Sequence, residues 1–417
     1  MGKTPVGIGK GTNHVNHCLI CRSELVETLL DFGPQAVSSH FMKTPDTRAI
    51  EHDLAFGVCG ACGVMQLANP FPHRDLVRPY DWITYREPES HLDAVVERIC
   101  SIPGIDAQAR VAGITFKDKT TLERLRRRGF DRTWSLDAID DFGATDANAD
   151  IESIQALLTP ERANEVVRKR GTVDLLIVRH IAEHTEDPRR FMAALATLLA
   201  PGGVMVIEIP DCSANLKRQD YSMIWEEHTL YLTPQTAPQL LASAGCAGVA
   251  IEVHPFAFED VIVLYGRKSG AGATQAPLDR ETVEPSIDLA RRYAAAFEGW
   301  TQRYRQLFDG LTADGSRLAA YGAGHLTCAF LNFHGLADYF AFVVDDTPQK
   351  QGLFLPKARL PIVSRSRLTA DSISACLFGL APDIEDKVIA NNHAYADAGG
   401  RFYSMFVDSP RSIRKLS

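Results

Sequence analysis

The sequence predicts an α/β protein: a small cysteine-rich N-terminal lobe followed by two units of alternating strand and helix. Three observations carry this. Apolar runs such as "VDLLIVRH" and "VMVIEIP" are short and continuous, as buried strands of a mainly parallel sheet are. Helical stretches separate them, the pattern of a sheet covered on both faces. Two Cys-x-x-Cys pairs precede the first unit.

Residues 1–16 are polar and glycine-containing, a loose tail. The lobe is expected over residues 1–75. "HCLIC" places Cys18 and Cys21 on one turn, and "VCGAC" places Cys59 and Cys62 on another. Two such turns supply four thiolates to one tetrahedral ion, which predicts a structural zinc (Zn2+) site with no open position. The chain has nine cysteines, an odd number, and that favours metal over a disulfide framework.

The first α/β unit is expected over residues 76–268. It is entered through a helical bridge ending in "SHLDAVVERIC". "ARVAGI" reads as strand, "TTLERLRRRG" as helix and "DRTWSLDA" as strand. "LTPERANEVVRKRG" reads as helix, with Thr159 as its cap before Pro160. "DPRRFMAALATLLAPGG" and "TPQTAPQLLASAGC" are further helices, and "VAIEVHPFAF" and "EDVIVLYGRK" close the unit as strands. Residues 269–314 hold a small-residue linker and a long amphipathic helix marked by Ile287, Ala290, Ala294, Phe297, Tyr304 and Leu307. Residues 315–417 form the second, smaller unit. There "RLAAYGAG" places Gly322 and Gly324 after a strand, and "YFAFVVDD" ends on Asp345 and Asp346, as in half a dinucleotide fold.

The chain has 417 residues, 23% of them charged, and a net charge of −8, which argues against a nucleic-acid-binding surface. No apolar run is long enough to span a bilayer, and the N-terminus lacks the apolar stretch of a signal peptide. A cytoplasmic protein without a membrane partner is expected. The oligomeric state is left open.

Ligands of a parallel sheet bind at the carboxyl ends of its strands. "DLLIVRHIAEHTEDP" puts His180 and His184 there, and "IWEEHTLYLTP" brings Glu226, Glu227 and His228 in succession. An imidazole beside a carboxylate suits a general base. Polar loop residues with no chemistry are the plain alternative.

These pieces together resemble the bacterial sugar C-methyltransferases that act on nucleotide-linked keto-deoxysugars. The matching segments are the double Cys-x-x-Cys lobe with "LLDFGPQAVSSHF" and "CGVMQLANP", then "VDLLIVRHIAEHTEDP", "IWEEHTLYLTP", "AAYGAGHLTCAFLNF" and "FVVDDTPQKQGLFLPKARLPIVS". They run in order over about residues 17–365. The resemblance implies a zinc lobe, a central class I methyltransferase-like (Rossmann-like) domain using S-adenosylmethionine (SAM), and a C-terminal Rossmann-like domain. It places the sugar nucleotide between the domains. It implies proton removal next to the ketone and attack of the enolate on the SAM methyl. His228 matches the family's base, Glu227 its neighbouring carboxylate and His184 a second active-site histidine. A tyrosine-rich segment corresponds to "YDWITYREPESH", with Tyr85 as the equivalent and Tyr80 as the substitute. Glu226, Gly322, Gly324 and Asp345 are the expected substrate contacts.

The cofactor loop departs from the family. Where its members read E-x-G-x-N-D-G, this chain has Gly113 at the acid, Thr115 and Lys119 at glycines and Lys117 at the Asn, and keeps Asp118. Thr115, Lys117, Asp118, His180 and, for the ribose, Asp137 are the expected cofactor contacts. Three functions stay open: a SAM-dependent C-methyltransferase with a variant loop, a SAM-independent epimerase or isomerase on a sugar nucleotide, and a non-catalytic sugar-nucleotide-binding relative.

Overall fold

The computed structural model describes residues 17–80, 82, 87–145, 149–269, 280–371 and 373–416. Among them are three sheets. The first belongs to the N-terminal lobe: β1 (Val26–Ala36), β2 (Glu51–Cys59), β3 (Met65–Leu67) and, at its edge, β8 (Leu230–Tyr231). The last strand comes from the central region, so the lobe expected over residues 1–75 does not complete its own sheet. Met65 pairs with Tyr231 and Gln66 with Leu230.

The four cysteines close the lobe. Cys18 and Cys62 sulfurs lie 3.6 Å apart, as do those of Cys21 and Cys59. A tetrahedral zinc with Zn–S bonds of about 2.3 Å has sulfurs about 3.8 Å apart. Backbone N–H groups of Ile20 and Cys21 donate to the Cys18 sulfur, and that of Ala61 to Cys59. The donor set therefore fits zinc in spacing and in charge.

The central sheet has the order β5-β4-β6-β7-β10-β9. Strands β4 (Val111–Gly113), β5 (Thr133–Ser135), β6 (Val173–Arg179) and β7 (Leu199–Asp211) are parallel. Strand β10 (Asp260–Lys268) returns antiparallel between β7 and β9 (Cys246–His254). Leu175, Leu176, Ile177 and Val178 are all buried because both faces of β6 are covered. Helix Pro160–Arg170 packs on one of those faces; the Thr159 hydroxyl accepts from Arg162 N–H at its start, a cap contributing about 1 kcal/mol. The sheet is thus mixed at one edge and parallel where the site lies.

The third sheet is all parallel, in the order β13-β12-β11-β14-β15: β11 (Leu318–Tyr321), β12 (Phe340–Val344), β13 (Ile362–Val363), β14 (Ala375–Phe378) and β15 (Arg401–Ser404). Gly322 follows β11 at φ +102°, and a Cβ there would lie 2.4 Å from the Leu380 side chain. Only glycine fits this turn.

The single long helix expected before this domain is two, Arg280–Ala295 and Phe297–Leu311. The Tyr221 hydroxyl donates to the Tyr293 carbonyl at 2.8 Å. That carbonyl also accepts from the Ala296 N–H at 3.3 Å, so the last turn tightens where the tertiary contact meets it. No helix among the described residues is long and apolar enough to cross a membrane.

Metal analysis is expected to find about one zinc per chain, held by four thiolates. Cys59→Ser should destabilise the protein by on the order of 4 kcal/mol or more, read as a fall in Tm. Because the lobe's sheet includes Leu230–Tyr231, the same substitution should also lower activity in protein that remains folded.

Candidate active site

A cavity of about 590 Å³ opens at the carboxyl ends of β6 and β7. It is walled by His180, His184, Trp225 and His228, by the loop residue Lys117 and, from the C-terminal domain, by His325.

The turn after β6 is held in an unusual shape. His180 has φ +47°, a left-handed conformation rare for a side-chain-bearing residue. Its N–H donates to the Glu208 carbonyl, and its ring lies 2.9 Å from Glu208 Oε1. Glu208 also receives two bonds of 2.9 Å from Arg179 and lies 3.1 Å from His91 Nε2. Burial works against a charge on His180. The charge of Glu87 and the hydrogen bonds of Glu183 and Glu208 nevertheless raise its pKa to about 10. These acidic neighbours favour the charged form of the ring.

His184 differs. Its Nδ1 lies 2.7 Å from Glu152 Oε1. Burial lowers the His184 pKa to about 4. Burial, then repulsion from Asp150, pushes the Glu152 carboxyl well up. The Glu152 contact fixes the tautomer of His184: with the protonated carboxyl donating to Nδ1, the ring's own proton sits on Nε2, the nitrogen left for the cavity.

His228 packs edge-on to His184 with ring centres 4.6 Å apart, and its ring lies 4.8 Å from that of Trp225. Burial, then the nearness of a second imidazole that would repel a cation, lowers its pKa well below the usual value. The ring stays neutral and can accept a proton. Trp225 stacks on His325 at 4.3 Å and donates from Nε1 to the Ser38 hydroxyl.

The expected pairing of Glu227 with His228 is not what the chain builds. Glu227 groups with Glu152 and His184, their ligand-type atoms within 4.8 Å of one another. Burial, then repulsion from Glu152 and Glu226, pushes its carboxyl up. Glu226 and Glu227 sit in a turn closed by the His228 N–H donating to the Trp225 carbonyl, so sequence neighbours take different partners. Glu226 turns away from the cavity and accepts from the Ser38 N–H.

The expected cofactor residues divide. Lys117 and His180 line the cavity; Thr115, Asp118 and Asp137 do not. Asp118 is fully buried and accepts from the N–H groups of Ile114, Thr115 and Arg179. It fastens the loop to the sheet. Thr115 caps the short turn that follows. Asp137 is exposed and bonds to Ile139 and Asp140 within its own turn. Lys117 Nζ donates to Glu87 at 2.6 Å. Tyr80 stacks on Trp82 and bonds to the Phe41 carbonyl, outside the cavity wall. Tyr85 lies outside the described residues. Gly322, Gly324 and Asp345 are also absent from the wall. Asp345 accepts from Ala323 N–H and Lys350, which closes the glycine turn on itself.

Glu152 and Glu183 were not legible as site residues. Glu152 sits in the first turn of helix Ile151–Leu157, where an acid ordinarily reads as a helix-dipole choice. Glu183 is buried with both carboxylate oxygens lacking a hydrogen-bond partner, although His180 Nδ1 lies 3.4 Å away.

Three family models match the chain in order. They are "Putative zinc binding domain" over residues 18–76, "Methyltransferase domain" over 71–251 and "C-methyltransferase C-terminal domain" over 276–406. The protein is a methyltransferase. Among curated proteins, C-methyltransferase NovU of Streptomyces niveus is 26% identical over 96% of this chain and 97% of its own length. Two solved structures from Burkholderia thailandensis are also similar, each 14% identical with a TM-score of 0.28. One is an O-methyltransferase family protein, covering 44% of this chain and 58% of its own. The other is 1,6-didemethyltoxoflavin-N1-methyltransferase, covering 43% and 78%.

This methyltransferase uses S-adenosylmethionine, whose sulfonium is a cation. Three carboxyl groups share the cavity wall: Glu183, 3.4 Å from His180; Glu87, paired with Lys117; and Glu259, whose pKa burial pushes up to about 8.

Two outcomes test the site. Glu152→Leu should lower kcat by about 10- to 100-fold, less than loss of the base itself. Glu152→Gln should retain most activity, because its amide still donates to His184 Nδ1. The acid limb of the kcat/KM profile should lie below pH 6.5, the ordinary histidine value, because a depressed pKa keeps His228 unprotonated to lower pH. A limb at or above that value would place the base elsewhere.

Proposed function

We propose that the protein methylates the carbon next to the ketone of a nucleotide-linked keto-deoxysugar, in the cytoplasm. The observation that carries the reading is the pair of imidazoles, His184 and His228, packed edge-on in one cavity with ring centres 4.6 Å apart. The segments shared with the sugar C-methyltransferases and the likeness to NovU along nearly the whole chain support the substrate class.

A carbon acid beside a ketone is weak, so removal of its proton needs a positioned base and a donor for the developing enolate oxygen. His228 takes the proton. His184, its tautomer set by Glu152, donates from Nε2 to the oxygen. Trp225 and His325 form an aromatic wall that excludes water from that end. S-adenosylmethionine supplies the electrophilic methyl, and transfer needs little beyond alignment. The C-terminal domain takes part through His325, Ala381 and Asp383, which reach the cavity wall. The nucleotide part of the substrate lies on that side.

Deuterium exchange into a keto-deoxysugar nucleotide, followed by NMR, tests the base. The wild type should exchange the proton next to the ketone, and His228→Ala should slow this by about 100-fold or more. Exchange that survives the substitution would remove His228 from the role. Exchange by wild-type protein that never incorporates a methyl from S-adenosylmethionine would favour an epimerase or isomerase.

A further inference from the structure

The segment that carries Trp225 and His228 leaves helix Ser213–Arg218 through Gln219, which has φ +56°. A helix ends on carbonyls that its own residues leave without partners. Here one side chain from the C-terminal domain takes two carbonyls at that exit. Arg414 donates from Nη1 to the Arg218 carbonyl at 2.7 Å and from Nη2 to the Gln219 carbonyl at 2.6 Å. Its Nε donates to the Tyr304 hydroxyl at 2.7 Å, and its guanidinium lies 3.9 Å from the centre of the Trp300 ring. Trp300 Nε1 in turn donates to Gln219 Oε1 at 2.5 Å. The next carbonyl, that of Asp220, accepts from the Tyr293 hydroxyl at 3.0 Å. Three successive carbonyls on the way to His228 are thus tied to Arg414 and Tyr293.

Arg414 is itself fixed to the C-terminal domain. Its neighbour Ile413 is fully buried in that domain's core, and Ser412 pairs with Ser404 of β15. Glu385 accepts from the Ser409 hydroxyl at 2.6 Å and lies 3.4 Å from Arg411 Nη1. Glu385 follows Ala381 and Asp383, which reach the cavity wall. The stretch from Ser409 to Arg414 therefore joins the C-terminal side of the cavity to the segment that bears the histidine. Arg414 is absent from the wall itself.

We propose that Arg414 is a positioning residue for proton removal, holding the segment of His228 at a fixed place relative to the C-terminal wall. This rests on the reading of His228 as the base. The planar guanidinium offers donors at a spacing that meets two neighbouring carbonyls while its face lies on an aromatic ring; an ammonium has neither property. Without it the exit of the helix is free to shift, while the Thr229 contacts and the central sheet remain. The step that suffers is proton removal, which depends on placement, rather than binding of the methyl donor.

Deuterium exchange into a keto-deoxysugar nucleotide tests this, with S-adenosylmethionine affinity by calorimetry and Tm measured on the same full-length proteins. Arg414→Met keeps an apolar stem over Trp300 and should slow exchange by about tenfold, since small misplacements of a reacting group are costly. Donor affinity should stay within about twofold, because no residue of the wall is altered. Added guanidinium ion, at a concentration that leaves the wild type unaffected, should restore part of the lost rate. Arg414→Lys should fall between Arg414→Met and the wild type, and it decides alone should Arg414→Met fail to fold. Exchange at the wild-type rate in the folded variant overturns the proposal, as does a slowed rate that guanidinium leaves unchanged. Exchange lost in His228→Ala but untouched in the Arg414 variants overturns the role of Arg414 and leaves the base reading standing. Exchange that survives His228→Ala removes the base reading and this proposal with it.

Discussion

Thr229 holds the site together. Its N–H donates to the Glu183 carbonyl at 2.7 Å, its hydroxyl to the Thr185 carbonyl at 2.7 Å, and its own carbonyl accepts from Leu67. One buried threonine thereby joins the turn after β6, the cysteine-rich lobe and the segment bearing His228. Glu183, His184, Glu227 and His228 keep their spacing because two short peptide stretches are clipped side by side. Everything proposed for the two histidines depends on that clip. It also explains why the lobe belongs to the catalytic machinery without contributing a ligand to the cavity.

The second constraint is charge. Glu208 accepts from Arg179 and lies within hydrogen-bonding distance of His180 and His91, all of them buried. An unpaired carboxylate there would be costly, and the network removes that cost by satisfying its oxygens. The same network holds His180 in its left-handed shape. Strain of this kind persists where surrounding bonds over-determine it. The cavity beside it has one end lined by the Lys117–Glu87 and His180–Glu208 pairs and another lined by His184 and His228, where burial disfavours a charged ring.

Much of the fold was legible because its signals are local. The two Cys-x-x-Cys turns, the continuous apolar strands and the Thr159–Pro160 helix start are each written within a few residues. His184 was expected near the cavity for the same reason, standing just past the end of β6, whereas His228 precedes β8 and was singled out by its Glu-Glu-His run and the family resemblance. Glu152 was not, because nothing in "DIESIQAL" shows that its acid meets a histidine across the fold. Asp137 failed the other way. An acid after a second strand suggests a ribose contact, but the side chain folds back onto its own turn. The turn at Tyr293 meets a hydroxyl from Tyr221, far earlier in the chain. Partners distant in sequence are set by packing, which periodicity does not encode.

The stacking of His325 on Trp225 has a consequence in time. As the chain leaves the ribosome, the thiolate cluster comes first, the central sheet next, and the wall carrying His325 only after the linker and both helices that follow it. A nascent chain therefore owns His228 and its central sheet before it owns a closed chamber. Enolate chemistry in an open cleft would release a reactive intermediate to water. The order of synthesis withholds the last wall until the rest of the site stands ready.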